Sequence, residues 1–126
     1  MIGYITIGTN DLTQAENFYD NLMSVIGIKQ LFKTETQIAW GKDFNSPMLC
    51  VTLPYNKEAA TSGNGTMIAL RVDNNELVEK MFHKAISLGA QDEGAPGLRG
   101  KTFFGAYIRD LDGNKLNFHH NNYEVN

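Results

Sequence analysis

At 126 residues the chain is long enough for one compact domain and too short for two ordinary ones. Its composition, 42% apolar with 10% aromatic and 20% charged residues, is that of a globular protein and excludes a disordered or fibrous chain. A net charge of −3, with the eleven Lys and Arg scattered, argues against a nucleic-acid partner, and no apolar run is long enough to span a bilayer.

The first predicted strand is residues 4–8, in which Ile5 and Ile7 face one side and Tyr4 and Thr6 the other. Thr13-Gln14-Ala15-Glu16 matches a capping box, with Thr13 accepting from the third helical amide and Glu16 reaching back. A helix over 13–26, stopped near Gly27, follows. Three extended segments come next, at 29–34, 37–41 and 47–53, separated by turn-forming residues. Residues 57–65 are rich in small and polar side chains with no apolar period, and read as a linker. Beyond it a strand is expected at 67–72, then a helix capped by Asp73 with Glu76 three residues later, running to Leu88 and closed by Gly89. Residues 90–93 form a short strand, 94–100 a Gly/Pro loop, and two strands flank Asp112-Gly113.

These elements repeat. Sliding the first strand and helix by about 63 residues places Ala15 on Val78, Phe18 on Met81, Tyr19 on Phe82, Leu22 on Ala85 and Met23 on Ile86, so both helices carry the same i, i+3, i+4, i+7, i+8 stripe. The expected object is one pseudo-symmetric α+β domain over 1–126, with module one at about 1–56, the linker at 57–65 and module two at about 66–121. Met1-Ile2-Gly3-Tyr4 has neither the charged start nor the apolar stretch of a signal peptide, so a cytoplasmic address is expected. The lone Cys50 sits in an apolar strand with no local base, which makes it a buried hydrophobe rather than a nucleophile.

The paired modules, Asp11-Leu12 leading into a helix with Phe18-Tyr19, and the run Tyr107-Ile108-Arg109-Asp110-Leu111-Asp112-Gly113-Asn114-Lys115-Leu116 resemble the vicinal oxygen chelate superfamily. This is the group of glyoxalase I, bleomycin-resistance and fosfomycin-resistance proteins and extradiol dioxygenases. Residues 92–99 further resemble a bacterial glyoxalase-like branch. The resemblance implies two tandem βαβββ modules, a U-shaped curved mixed sheet with helices outside, and a homodimer. It also implies a divalent-ion site supplied by the first and fourth strands of each module, with the ion polarising a substrate oxygen.

Carried over residue by residue, the first-strand histidine position falls on Tyr4, its second-module counterpart on Met67, and the last-strand glutamate on Asn117. The first-module fourth strand contributes Cys50 or Thr52. A phenol ionising near pH 10, a thioether and a neutral amide are poor ligands for a hard divalent ion, so no metal cofactor is expected; a divalent metal is the alternative. If the correspondence holds, Tyr4 and Asn117 face each other across the cleft, with Trp40, Met67, Phe104 and Tyr107 as its apolar walls.

His119 lies two residues after Asn117, hence on the same strand face, and is the candidate general base, with a backbone-bonded terminal-strand histidine as the plainer reading. Arg71 shares the face of Met67 and needs a carboxylate, Glu93 or Asp92, or an anionic ligand, while Arg99 sits on the Gly/Pro loop as a mobile cap at the cleft mouth. The leading expectation is a protein that binds a small organic molecule between its modules without transforming it, as bleomycin-resistance proteins do. A glyoxalase-like lyase or isomerase, metal-free or metal-dependent, is the second expectation, and a scaffold with a filled cleft the third.

Overall fold

The structure, a computed structural model, describes residues 1–123; the last three residues of the expected domain, 124–126, lie outside it. Its elements run β1 (Tyr4–Gly8), α1 (Leu12–Ser24), β2 (Lys29–Lys33), β3 (Gln37–Gly41), β4 (Met48–Thr52), β5 (Ile68–Arg71), α2 (Asn75–Ser87), β6 (Gln91–Arg99), β7 (Phe103–Arg109) and β8 (Lys115–Asn121). These are two βαβββ modules, which form two compact units parting between Ser62 and Gly63. No helix among the described residues is long and apolar enough to cross a membrane.

In module one the strand order is β1-β4-β3-β2, with β1 parallel to β4 and the other pairs antiparallel. Register joins Ile5, Leu49 and Trp40 in one row and Ile7, Val51 and Ile38 in the next, and this face meets α1. Ala15, Phe18, Tyr19, Leu22 and Met23 are all buried, the stripe the 3.6-residue period demands. Completely buried side chains such as Leu22 each stabilise the fold by about 1.5–3 kcal/mol.

A polar band ties α1 across β2 and β3. Trp40 Nε1 donates to Asp20 at 2.8 Å, and Gln30 donates to Asp20 at 3.2 Å and to Glu16 at 3.0 Å. Lys33 closes the band on Glu16 at 2.9 Å, and its hydrogen bond, with that of Gln30, holds the Glu16 carboxyl below its ordinary pKa.

Module two repeats the plan in the order β5-β8-β7-β6, with β5 parallel to β8. Leu116 and Phe118 of β8 and Ala106 and Ile108 of β7 are fully buried on the α2 side, against Val78, Met81, Phe82 and Ala85. Ile86 departs from the repeat, being 36% exposed where its counterpart Met23 is 3%.

Both helix starts differ from expectation. Asp11, not Thr13, caps α1 by accepting from Gln14 N at 3.0 Å, and Thr9 Oγ1 accepts from the Asp11 amide at 3.1 Å. Glu16 is therefore free to face β2. Likewise Asn74, one residue past Asp73, caps α2 by accepting from Leu77 N at 2.8 Å.

The stretch read as a linker is also built in at its start. The Ala60 amide donates to Asn10 Oδ1 at 2.7 Å, and a Cβ on Gly8 would stand 3.1 Å from the Ala60 methyl. Glycine at position 8 thus lets residues 57–60 fold back over the end of β1.

The expected Gly/Pro loop is not a loop, for residues 94–99 continue β6 as an edge strand. An edge strand tolerates Pro96, and two register shifts, at Asp92/Gly94 and Gly94/Gly97, absorb the irregular backbone.

Candidate functional site

Parity along the strands decides which of the expected residues share a face. In module two Ala69, Asn117 and Tyr107 form one cross-strand row, and Arg71, His119 and Gly105 the next, all on the sheet face turned away from α2. Arg71, Tyr107, Asn117 and His119 are thus brought together on one surface. Met67 precedes β5 and is 41% exposed. Tyr4, at the start of β1 in module one, is 61% exposed and paired with Met48.

Two expected wall residues lie on the wrong side. Trp40 is 1% exposed, its ring 5.5 Å from that of Tyr19 and its indole N–H on Asp20, so it is core between β3 and α1. Phe104 is in register with Leu98 and His120, and these three border a recess at the start of α2 with Asn74 and Glu76. It therefore points toward the helix, opposite to Tyr107: residues three apart on a strand cannot share a face. His120 points the same way as Phe104, its Nδ1 3.1 Å from the Val72 carbonyl.

Arg99 is no mobile cap. Its Nη1 donates to the carbonyls of Gly97 at 2.8 Å and Gly105 at 2.6 Å, and Nη2 donates to Ala95 at 2.8 Å. The guanidinium takes over backbone acceptors at the irregular part of the β6–β7 ladder and lies 5.3 Å from the Tyr107 ring centroid. Gly94 makes this possible, because a Cβ there would stand 3.0 Å from the Tyr107 ring and 3.2 Å from Arg99 Nη2.

The partner expected for Arg71 is also taken. Glu93 accepts from Arg109 Nε at 2.8 Å, and Asp92 accepts from the Gly94 amide at 2.8 Å. Arg71 is exposed and forms no ion pair with the described residues, and its charge is felt by the neighbouring imidazole of His119.

His119 and Asn117 form a close polar contact on this face. Asn117 is completely buried; its Nδ2 donates to the Ala106 carbonyl at 3.2 Å, and its Oδ1 lies 2.6 Å from His119 Nδ1. The Phe103 ring stacks on the imidazole, centroids 5.0 Å apart and planes 17° from parallel. Burial, followed by the positive charge of Arg71 and the nearby His120, pushes the His119 pKa down, which favours the neutral ring. Phe103 and Gly105 were missed in the sequence. Counting back by twos from Tyr107 would have found them on this face.

Register gives Cys50 and Thr52, which share one face of β4, their counterparts in module two. Cys50 pairs with Thr6 as Asn117 pairs with Ala69, and Thr52 pairs with Gly8 as His119 pairs with Arg71. Cys50 is thus the counterpart of Asn117. Burial pushes its thiol pKa up, against a lowering by Gln37, and Thr52 Oγ1 lies 3.1 Å from Thr36 O and 2.9 Å from Leu53 O, its single proton donated to one of these two carbonyls.

The sequence and the fold now define the class. A family model described as the Glyoxalase/Bleomycin resistance protein/Dioxygenase superfamily matches residues 1–118, and the chain belongs to that superfamily. A glyoxalase/bleomycin resistance protein from Albidiferax ferrireducens is similar at 29% identity and a TM-score of 0.90, over 97% of this chain and 99% of that one. A glyoxalase/bleomycin resistance protein/dioxygenase family enzyme from Burkholderia phytofirmans has the same fold at 21% identity and a TM-score of 0.77, over 95% of this chain and 98% of that one. So does a lactoylglutathione lyase from Agrobacterium tumefaciens, at 18% identity and a TM-score of 0.68, over 95% and 92%. No curated protein matches the sequence significantly.

The residues at the positions that the resemblance assigns to a metal do not have the chemistry to fit a hard divalent ion. Tyr4 offers a phenol and Met67 a thioether, the Cys50 thiol is held protonated, and the carbonyl oxygen of Asn117 is engaged by His119. Among the described residues no group of three or more His, Cys, Asp or Glu is gathered in a way that would hold a metal ion.

Proposed function

We propose that the chain binds a small organic anion on the module-two sheet face turned away from α2. Arg71 and His119 supply the polar contacts, Tyr107 an aromatic wall, and no tightly held divalent ion takes part. One observation carries this reading: Arg71 stands exposed in the row of His119 with no ion-pair partner among the described residues, while Glu93 is bound to Arg109. A guanidinium so placed is a fork for a carboxylate or phosphate oxygen pair.

Thermal denaturation against a panel of small carboxylates and phosphates tests it. A ligand at one hundred times its Kd adds about 2.7 kcal/mol to apparent stability. The expected result is at least one stabilising anion whose effect Arg71→Gln abolishes, with the same shift in EDTA. A panel with no hit, or a hit indifferent to Arg71→Gln, overturns the anion site. A stoichiometric divalent ion in the purified protein, lost together with ligand binding on chelation, overturns the metal-free part.

A further inference from the structure

The amide orientation of Asn117 has one solution. The Ala106 carbonyl can only accept, so the atom 3.2 Å from it is the NH₂ group, and Oδ1 is the atom facing His119. An amide oxygen can only accept as well, so the 2.6 Å contact requires a proton on His119 Nδ1. In the neutral ring Nε2 is then the bare nitrogen, and among the described residues nothing bonds it. Two further features fix the ring. Phe103 stacks on it, and Gly105 leaves the room, since a Cβ there would lie 2.6 Å from the Phe103 ring and 3.1 Å from Asn117 Nδ2.

We infer that Asn117 is a positioning residue that holds His119 as its Nδ1–H tautomer, so that the site takes a small anion which also carries an O–H or N–H donor for Nε2. Arg71, in the same cross-strand row, takes the anionic group. The ligand part rests on the anion site proposed above; the tautomer part does not.

The test is long-range proton–nitrogen correlation NMR of the ¹⁵N-labelled full chain at mildly alkaline pH. The signals of the three histidines are assigned with His83→Gln and His120→Gln. The expected wild-type pattern for His119 is a pyrrole-type Nδ1 and a pyridine-type Nε2. Asn117→Ala should shift the ring toward the Nε2–H form, as should Asn117→Leu, which keeps the side-chain volume but removes the acceptor. A wild-type Nε2–H tautomer overturns the inference, as does a tautomer unchanged in Asn117→Ala. If Asn117→Ala fails to fold, the wild-type spectrum and that of Asn117→Leu decide.

Glycolate and acetate at equal concentration test the ligand class: glycolate should move the Nε2 resonance and acetate should not. Equal effects overturn the donor requirement. Binding of neither, with the Nδ1–H tautomer intact, tells against the anion site and leaves the positioning role standing.

Discussion

Cys50 and Asn117 stand at the same register position of the two modules, one opposite Thr6 and the other opposite Ala69. The repeat therefore keeps the frame and changes the chemistry: a thiol buried to 1% exposure in one module, and an amide engaged at both ends in the other. Neither is a carboxylate, which separates this chain from the ligand set its superfamily resemblance implies.

A buried thiol with a raised pKa is a weak nucleophile. Cys50 in the native protein should react with a thiol reagent only as fast as the fold opens, and at once in denaturant. Fast stoichiometric labelling under native conditions would show that the thiol is reached without unfolding.

Removing the acceptor of the Trp40 indole strands a buried donor. Asp20→Ala should cost about 1–3 kcal/mol in urea denaturation, the penalty of an unsatisfied polar group, and leave anion binding unchanged. Lost binding in a folded Asp20→Ala protein would return Trp40 to the list of ligand contacts.

Gly105 is a spacer for the candidate site. In Gly105→Ala the new methyl must displace the Phe103 ring from His119, a flexible side chain that yields at about 1 kcal/mol, the low end for overpacking. The prediction is a modest loss of stability with a clear change in the His119 ring resonances. An unchanged His119 spectrum would mean that Phe103 does not orient the ring.

The depressed His119 pKa gives stability a defined slope. Below the unfolded value near 6.5 the unfolded chain binds a proton that the folded chain does not, so stability falls as pH drops from about 6.5 to the lower folded value. Above 6.5 this contribution is complete, and below the folded value it is gone. His119→Gln should flatten that limb of the stability–pH curve; a limb of the same steepness in the variant would assign it to other groups.

Much of the fold is legible in the residues. The doubled stripe of Phe18 with Met81 and Tyr19 with Phe82 locates both helices, and alternation in Tyr4–Gly8 and around Asp112-Gly113 locates strands, because side-chain periods are local properties. The caps lie one or two residues from the expected positions because Thr13, Asp73 and their neighbours offer several acceptors, and only the real entry angle of the chain selects Asp11 and Asn74. Residues 94–99 read as a loop because Gly and Pro weaken a strand, yet the β7 edge and the Arg99 guanidinium hold them extended.

The sequence alone determined the two-module frame, the burial of Cys50 and the shared face of Asn117 and His119, since all follow from spacing along one element. Tertiary structure decided that Trp40 and Phe104 face helices, that Glu93 belongs to Arg109, and that Asn117 holds the His119 ring while Ala106 fixes its amide. Those outcomes depend on which strand lies beside which, and in what register. No single segment carries that information, because the partners are brought together only when the strands of each sheet pair in register.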